Sequence, residues 1–126
     1  MIGLGLIGGS FALELKKRLG YTIAGIDLNP AHIQKALDLG IIDENTDYNH
    51  LTDADLVLIA VPVNHIHKVL LQVLDKIGEQ TLVMDAGSVK SHICEAVATH
   101  PHRQNFVAAH PMAGTEHSGP EAALYD

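Results

Sequence analysis

Short apolar segments alternate with longer segments of helical periodicity along the chain. The runs Leu56–Val61 and Thr81–Asp85 are mostly aliphatic and β-branched, which is typical of strands buried on both faces of a parallel sheet. Residues 63–77 have apolar side chains at the i, i+3, i+4 and i+7 positions of an amphipathic helix, namely Ile66, Val69, Leu70, Val73, Leu74 and Ile77. The same reasoning predicts strands at 21–26 and 106–109 and helices at 10–19, 31–39 and 91–99.

Residues that favour turns and helix ends separate these segments. Gly20 follows the first predicted helix, where glycine commonly ends a helix. Asn29 and Pro30 are predicted to be the N-cap and the first residue of the next helix, and Asn64 is a candidate N-cap for the third. The acidic stretch 43–55 predicts a polar, solvated connector.

A glycine-rich turn of the form GxGxxG lies at the start of the chain. In dinucleotide sites the first glycine permits a tight turn, the second lets the backbone approach the pyrophosphate, and the third brings the next helix close to the sheet. The positive end of that helix then faces the phosphates. The pattern also occurs in turns that bind no ligand, so other features of the chain must support it. We predict cofactor contacts from Gly3, Gly5, Leu6, Ile7 and Gly8.

The alternation of strands and helices implies repeated βαβ units. We therefore predict an α/β fold with a doubly wound, mainly parallel sheet of Rossmann type and helices on both faces. A length of 126 residues fits one domain. Met1 and Ile2 are the residues before the glycine turn, so the first strand of the sheet is expected to be truncated.

Asp27 follows the predicted second strand and lies nineteen positions after Gly8. A carboxylate at this position accepts hydrogen bonds from the ribose hydroxyls of a dinucleotide and repels a 2′-phosphate. No Lys or Arg occurs at positions 28–31 to bind such a phosphate. The expected cofactor is therefore NAD in preference to NADP.

Ligands of open parallel sheets bind beyond the carboxyl ends of the strands. The strand ends at Val61, Pro62, Ser88 and His110 are therefore expected to meet the glycine turn and Asp27 at one crevice. A histidine at such a strand end can accept a proton from a substrate hydroxyl while a hydride leaves its carbon, and a neighbouring serine can orient the imidazole. Position alone is equally consistent with an ordinary loop histidine and with a serine N-cap.

Charge and composition exclude several functional classes. The net charge of −7 argues against nucleic-acid binding, which needs clustered Lys and Arg. No apolar run approaches the ~20 residues that span a bilayer, so no membrane contact and a cytoplasmic location are expected. Cys94 has no partner for a disulfide. The spacings His65-x-His67 and His100-x-His102 point the rings apart, so no metal site is expected.

Four segments carry a family resemblance: GLGLIGGS at 3–10, AVP at 60–62, DAGSVK at 85–90 and HPMAGTEHSGP at 110–120. Together they resemble the prephenate dehydrogenase family, which includes the arogenate dehydrogenases. The glycine motif is generic, whereas DAGSVK followed at this distance by HPMAGTE is specific. The resemblance implies NAD-dependent oxidative decarboxylation of prephenate to 4-hydroxyphenylpyruvate, a step of tyrosine biosynthesis.

Site residues follow from the resemblance by position. It implies that His110 is the catalytic histidine and that Ser88 contacts both this histidine and the substrate. Thr115 and Glu116 correspond to residues at the substrate-entry side of the pocket, and Val61 and Pro62 to residues beside the cofactor. The implied partner is a small-molecule substrate, prephenate or arogenate.

The family continues beyond such a chain into a helical domain that forms a homodimer and supplies basic residues for the substrate carboxylates. Arg18 and Arg103 lie away from the predicted crevice, and Lys90 is the one cation near it. We therefore expect residues 1–126 to be the dinucleotide-binding domain, with the C-terminal helical domain absent. The alternatives are a stand-alone NAD-binding module without turnover and a related dehydrogenase for arogenate or another hydroxy acid.

Overall fold

The computed structural model describes residues 1–110 together with Pro120 and Ala123. The chain divides into two compact units, 47–110 and 1–46, the second of which also takes in residues 111–126. The strand pairings described in both units are parallel, and a helix connects each strand to its neighbour. The predicted α/β class with parallel strands is therefore confirmed.

The unit 1–46 contains two helices and a short parallel sheet. Ile2 adds a single parallel bridge to Ile26, beside the paired strands. Ala24 pairs with Glu44 and Gly25 with Asn45. In chain order the elements are α1 (Leu6–Leu19), β1 (Ala24–Gly25), α2 (Pro30–Asp38) and β2 (Glu44–Asn45).

The ends of α1 and α2 follow local sequence signals closely. Gly20 has a φ of 71° at the end of α1, a left-handed conformation that glycine adopts without steric cost. The side chain of Asn29 accepts a hydrogen bond of 2.9 Å from the backbone N–H of Ala31, so it is the predicted N-cap of α2. The start of α1 is different, since the helix begins at Leu6 and not at Ser10.

Apolar side chains from both helices pack against β1 and the residues after α2. The buried residues of this core are Leu4, Ala12, Ile23, Ala36, Ile41 and Ile42. Ala123 packs against the same cluster, and a Cβ built on Gly9 would lie 2.8 Å from the Ala123 Cβ. Close packing of the first turns of α1 therefore explains glycine at position 9.

The connector at 43–55 is largely exposed, as predicted, but it also contains β2, which was not predicted. Both residues of β2 are exposed, so their side chains give no apolar signal of a strand. The strand forms through backbone pairing with β1 and through Asp43, whose carboxylate accepts 2.8 Å from the N–H of Ile23. Residues 48–53 form a 3₁₀ helix, Tyr48–Asp53.

The unit 47–110 has a three-stranded parallel sheet in the order β3-β4-β5. The predicted strands and helices are all present, but α3 begins at Val63 with Pro62 as its N-cap, so the expectation of Asn64 as the cap is wrong. The elements are β3 (Leu56–Ile59), α3 (Val63–Leu74), β4 (Leu82–Asp85), α4 (Ser91–Val97), a 3₁₀ helix (Arg103–Asn105) and β5 (Phe106–Ala108).

Helices α3 and α4 pack against each other, and α3 also contacts β3. The predicted apolar stripe of α3 is largely buried, with Ile66, Leu70, Val73 and Leu74 inaccessible to solvent. The buried side chains of the sheet and of α4 that complete this core are Val57, Leu58, Ile59, Val83, Ile93, Val97 and Phe106.

Asp43 gives a testable link between pH and stability. The N–H of Ile23 and then the ammonium of Lys16 lower the pKa of the Asp43 carboxyl. A lowered folded-state pKa means that the stabilisation is present above the unfolded pKa of about 3.9 and is lost as the pH falls through the folded value. Asp43→Asn should therefore lower stability by about 1 kcal/mol at pH 7, with the difference from wild type shrinking as the pH falls below the unfolded pKa of about 3.9.

Thermal unfolding of both proteins at several pH values measures this difference. Asp38→Asn is the control, because it also replaces a hydrogen-bonded carboxylate. The exposed carboxylate of Asp38 accepts its hydrogen bond from the Gln34 side chain on the same helix and not from a backbone amide of another segment. A stability difference for Asp43→Asn that stays constant from pH 7 down to about pH 2 would contradict the role given to the carboxylate.

Candidate active site

The glycine turn begins with a backbone conformation that favours glycine. Gly3 has a φ of 89°, and its N–H donates 2.8 Å to the carbonyl of Ile26. The N–H of Leu4 then donates 2.8 Å to the carboxylate of Asp27. The chain thus leaves its bridge beside β1 and turns into α1 within three residues.

The first turn of α1 leaves backbone donors at the start of the helix. The first helical hydrogen bond joins the N–H of Gly9 to the carbonyl of Gly5, at 2.8 Å. The amides of Leu6, Ile7 and Gly8 precede it and have no partner within the helix. Gly5 is the N-cap and has no capping side chain, and the first turn contains no acidic residue. This helix start suits an anionic group.

Gly5 differs from the other glycines of the turn. Its φ is −80°, which any residue adopts. A Cβ built on it would meet no described atom within 4 Å, unlike a Cβ on Gly9. Neither backbone strain nor packing among the described residues therefore requires glycine at position 5, and space remains beside its backbone for a ligand.

Asp27 ties the glycine turn to the start of α2. One carboxylate oxygen accepts from the N–H of Leu4 and the other from the N–H of Asn29, both at 2.8 Å. The imidazole of His32 lies 3.5 Å from the second oxygen. The Asp27 side chain is 13% exposed, so it keeps access to solvent while it organises the turn.

In the unit 47–110 the carboxyl ends of the three strands lie side by side. Ile59 is in register with Asp85, and Asp85 with Ala108. The backbone N–H of Ala86 extends this edge by donating 2.9 Å to the carbonyl of Ile59. Val61 and Pro62 follow β3 at the same edge. Val61 is partly exposed, and Pro62 is exposed.

Ser88 and His110 follow β4 and β5 at this edge, and both are exposed. One buried carboxylate, that of Asp85, contacts the residue before each of them. It accepts 2.9 Å from the N–H of Gly87 and 3.2 Å from the N–H of Ala109. The structure therefore connects the backbones next to the two predicted catalytic residues, which belong to the same unit.

Lys90, the cation near the predicted crevice, is paired with Asp85. Its ammonium lies 2.5 Å from the Asp85 carboxylate and balances that buried charge. Arg18 pairs with Glu14 at 2.6 Å on α1. Arg103 donates 2.9 Å to the carbonyl of Phe106 at the start of β5.

Other predicted features stay untested. Thr115 and Glu116 lie outside the described residues. The glycine turn and Asp27 belong to one unit and Val61, Pro62, Ser88 and His110 to the other, so their meeting at one crevice stays a prediction. Within the described residues, no three His, Cys, Asp or Glu side chains form a group that could hold a metal ion. Helices of the same residues are too short or too polar to cross a bilayer.

Comparison with known proteins identifies the family. A family model described as prephenate dehydrogenase, nucleotide-binding domain, matches residues 11–126. The chain belongs to the prephenate dehydrogenase family. It is 41% identical to prephenate dehydrogenase of Bacillus subtilis over 98% of its own length and 34% of that protein. The chain thus spans about a third of the length of this curated relative.

Solved structures of the family agree. Prephenate dehydrogenase from A. aeolicus, in complex with hydroxyphenyl propionate and NAD⁺, is 39% identical with a TM-score of 0.85, covering 98% of this chain and 44% of that one. Synechocystis arogenate dehydrogenase is 30% identical with a TM-score of 0.84 and the same coverage. The Rossmann-type fold and NAD as the cofactor are confirmed at the level of the family.

Two site residues escaped prediction from the sequence. Asp85 ends an apolar strand five residues before Lys90, a spacing compatible with the ion pair that the structure shows. His32 lies five residues after Asp27, and its approach to the carboxylate depends on the start of α2, a feature of the fold and not of the residues next to Asp27.

The packing around Gly87, next to Ser88, is directly testable. A Cβ on Gly87 would lie 2.5 Å from Cδ1 of Ile66 and 3.0 Å from an oxygen of Asp85. Gly87→Ala should therefore destabilise the chain by about 1–3 kcal/mol. Ile66→Val removes that Cδ1 at a cost of about 0.5–1.5 kcal/mol, so the double variant should lose less than the sum of the single changes. Urea unfolding of the four proteins measures this coupling, and additive losses would contradict the predicted contact.

Proposed function

We propose that this chain is the NAD-binding portion of an enzyme that oxidatively decarboxylates prephenate to 4-hydroxyphenylpyruvate. Within the proposal, residues 1–126 form the dinucleotide-binding domain, and the substrate carboxylates are bound in part by residues of a helical C-terminal domain. Prephenate carries two carboxylates, whereas Lys90 is paired with Asp85 and Arg103 with a backbone carbonyl. That distribution of cations supports a substrate site completed by other residues.

The observation that carries the cofactor proposal is the environment of Gly5. Its backbone conformation suits any residue, its Cβ position is open, and the helix start next to it offers amide donors and no acid. A pyrophosphate approaching the backbone at this point accounts for glycine there. Gly3, Leu6, Ile7 and Gly8 would complete the cradle.

Asp27 supports NAD in preference to NADP. Each of its oxygens already accepts one backbone amide, and a carboxylate oxygen has a second lone pair for a ribose hydroxyl. A 2′-phosphate at the same position would meet the carboxylate charge. Val61 and Pro62 are proposed to border the cofactor at the end of β3.

His110 and Ser88 are the proposed catalytic residues. NAD, when bound, accepts the hydride. The imidazole of His110 takes the proton of the substrate hydroxyl as the C–H bond at the same ring carbon breaks. When carbon dioxide then leaves, the imidazole returns this proton to the phenolate oxygen that forms. Ser88 is proposed to orient the imidazole and the substrate, with Thr115 and Glu116 near the substrate. Because the product is aromatic, positioning and one proton transfer are the main tasks of these side chains.

Two alternatives make different predictions for the same pair of measurements. A stand-alone module binds NADH without turnover of prephenate, whereas an arogenate dehydrogenase turns over arogenate in preference. The homodimer expected for the enzyme stays a prediction. Titration of the chain with NADH tests the cofactor site. Assays with prephenate and with arogenate, made on the protein that joins this chain to the proposed C-terminal domain, then distinguish the three. Absence of NADH binding would overturn the proposed function in every form.

Gly5→Ala separates ligand binding from packing. Because a Cβ there meets no described atom and alanine is only a poorer N-cap than glycine, stability should fall by no more than about 1 kcal/mol, while NADH affinity falls roughly tenfold or more as the methyl group obstructs the pyrophosphate. Gly25→Ala is the matched control. Its Cβ would lie 2.8 Å from Ile42 Cδ1, so it should lose stability and keep its NADH affinity. Wild-type NADH affinity in Gly5→Ala would contradict the placement of the cofactor.

His110→Asn tests the catalytic assignment. In the protein that joins this chain to the proposed C-terminal domain, loss of the proton acceptor should lower kcat about 10²–10⁴-fold. NADH affinity should stay within about twofold because the change leaves the glycine turn intact. Steady-state kinetics and NADH titration measure the two effects. His102→Asn, on a half-buried residue before the Arg103–Asn105 helix, is the control and should retain turnover. A large loss of NADH affinity in His110→Asn would contradict a catalytic role.

A further inference from the structure

Asp85 is the one acidic side chain buried from solvent among the described residues. It ends β4, and its carboxylate is 0% exposed. A buried carboxylate is costly unless its charge is balanced and its oxygens accept hydrogen bonds. The surroundings of Asp85 meet both conditions, and the partners lie next to the proposed catalytic residues.

The two carboxylate oxygens have different partners. Oδ2 accepts 2.9 Å from the N–H of Gly87 and 2.5 Å from the ammonium of Lys90. Oδ1 accepts 3.2 Å from the N–H of Ala109. Gly87 precedes Ser88 and Ala109 precedes His110, so one rigid group holds the backbone on the N-terminal side of both residues.

The packing around Asp85 limits movement of this group. A Cβ on Gly87 would lie 2.5 Å from Ile66 Cδ1 and 3.4 Å from Ile93 Cδ1, so α3 and α4 close over the turn. Ala86 is tied to Ile59 of β3 by a backbone hydrogen bond of 2.9 Å. The segment that carries this carboxylate therefore contacts β3 and β5 on either side of β4, and also α3 and α4. Ser88 and His110, by contrast, are exposed.

We propose that Asp85 is a positioning residue, whose carboxylate sets the geometry between the Ser88 loop and the His110 segment. The role of Lys90 is to neutralise this carboxylate, not to bind substrate. The proposal rests on the proposed function, since it matters for catalysis only if Ser88 and His110 act there. Proton transfer is sensitive to donor–acceptor geometry, so loosening one segment lowers turnover without altering cofactor binding.

Asp85→Asn makes a directional prediction. An asparagine has one acceptor oxygen and one donor amide in place of two acceptor oxygens. The acceptor should face Gly87 and Lys90, because two donors lie on that side and one of them is charged. The amide NH₂ then faces the N–H of Ala109, donor against donor. The variant should release the His110 segment and keep the Ser88 loop.

Amide hydrogen exchange by NMR on the 126-residue chain tests this directly. In Asp85→Asn the exchange of the Ala109 amide, taken relative to the amides of β4, should accelerate about tenfold or more, whereas the Gly87 amide should change less than about threefold. Taking the ratio removes the effect of a global loss of stability. If Asp85→Asn does not fold, Asp85→Asn with Lys90→Met removes both charges. One donor then remains on each side, so exchange of one of the two amides, Ala109 or Gly87, should accelerate about tenfold or more relative to β4, and acceleration of neither would overturn the positioning role.

Thr81→Val is the matched control. Thr81 is buried just before the other end of β4, and its hydroxyl donates 2.7 Å to the carbonyl of Ala54. The change is similar in shape and removes one buried hydrogen bond, so it should lower stability and leave the Ala109 exchange ratio unchanged. An unchanged ratio in Asp85→Asn, or an equal rise in Thr81→Val, would overturn the positioning role.

Kinetics separate this proposal from the proposed function. With wild-type turnover established, Asp85→Asn should lower kcat about tenfold or more and keep KM for NAD within about twofold, whereas a purely structural role would reduce only the folded fraction. Wild-type chain that neither binds NADH nor turns over substrate would overturn the proposed function and leave the exchange result standing. An active wild type with unchanged kcat in Asp85→Asn would overturn the positioning role alone.

Discussion

Turns at the carboxyl edge of a parallel sheet need acceptors for their backbone amides, and here strand-end aspartates supply them. Asp27 accepts from the amide two residues on, at Asn29, and from Leu4 on the adjacent segment. Asp85 accepts in the same way from Gly87 and from Ala109. Each unit therefore fixes the geometry of its functional edge with one carboxylate, because an unpaired buried amide is costly.

The two carboxylates differ in what surrounds them. Asp85 is fully buried and paired with Lys90, five positions on, so its charge is neutralised inside the fold. Asp27 is 13% exposed and has His32 at the same offset, 3.5 Å away. Burial suits a group that holds other residues in place, and exposure suits a group that also contacts a ligand. Under the proposed function, the same local arrangement would serve two purposes according to its access to solvent.

Features with a local cause were predicted from the sequence, whereas those with a distant cause were not. Asn29 caps α2 through its own side chain, and Gly20 ends α1 through its own backbone. The exposed β2 has no apolar pattern and exists because its backbone pairs with β1. Helix α1 begins at Leu6, earlier than predicted, because the glycines of its first turn lower helix propensity and so give no helical signal. Close packing against the helix nevertheless favours glycine at position 9.

The sequence by itself determined the βαβ order, the family and the identity of the candidate site residues, because apolar periodicity and short motifs are written in neighbouring positions. Only the tertiary structure decided which residues around the candidate site share a hydrogen-bonding partner. Lys90 was expected near the predicted crevice, and the fold places its ammonium on Asp85, where it balances the buried carboxylate. Ala109 and Gly87 are 22 positions apart and meet at that same carboxylate only because β4 and β5 pair in parallel.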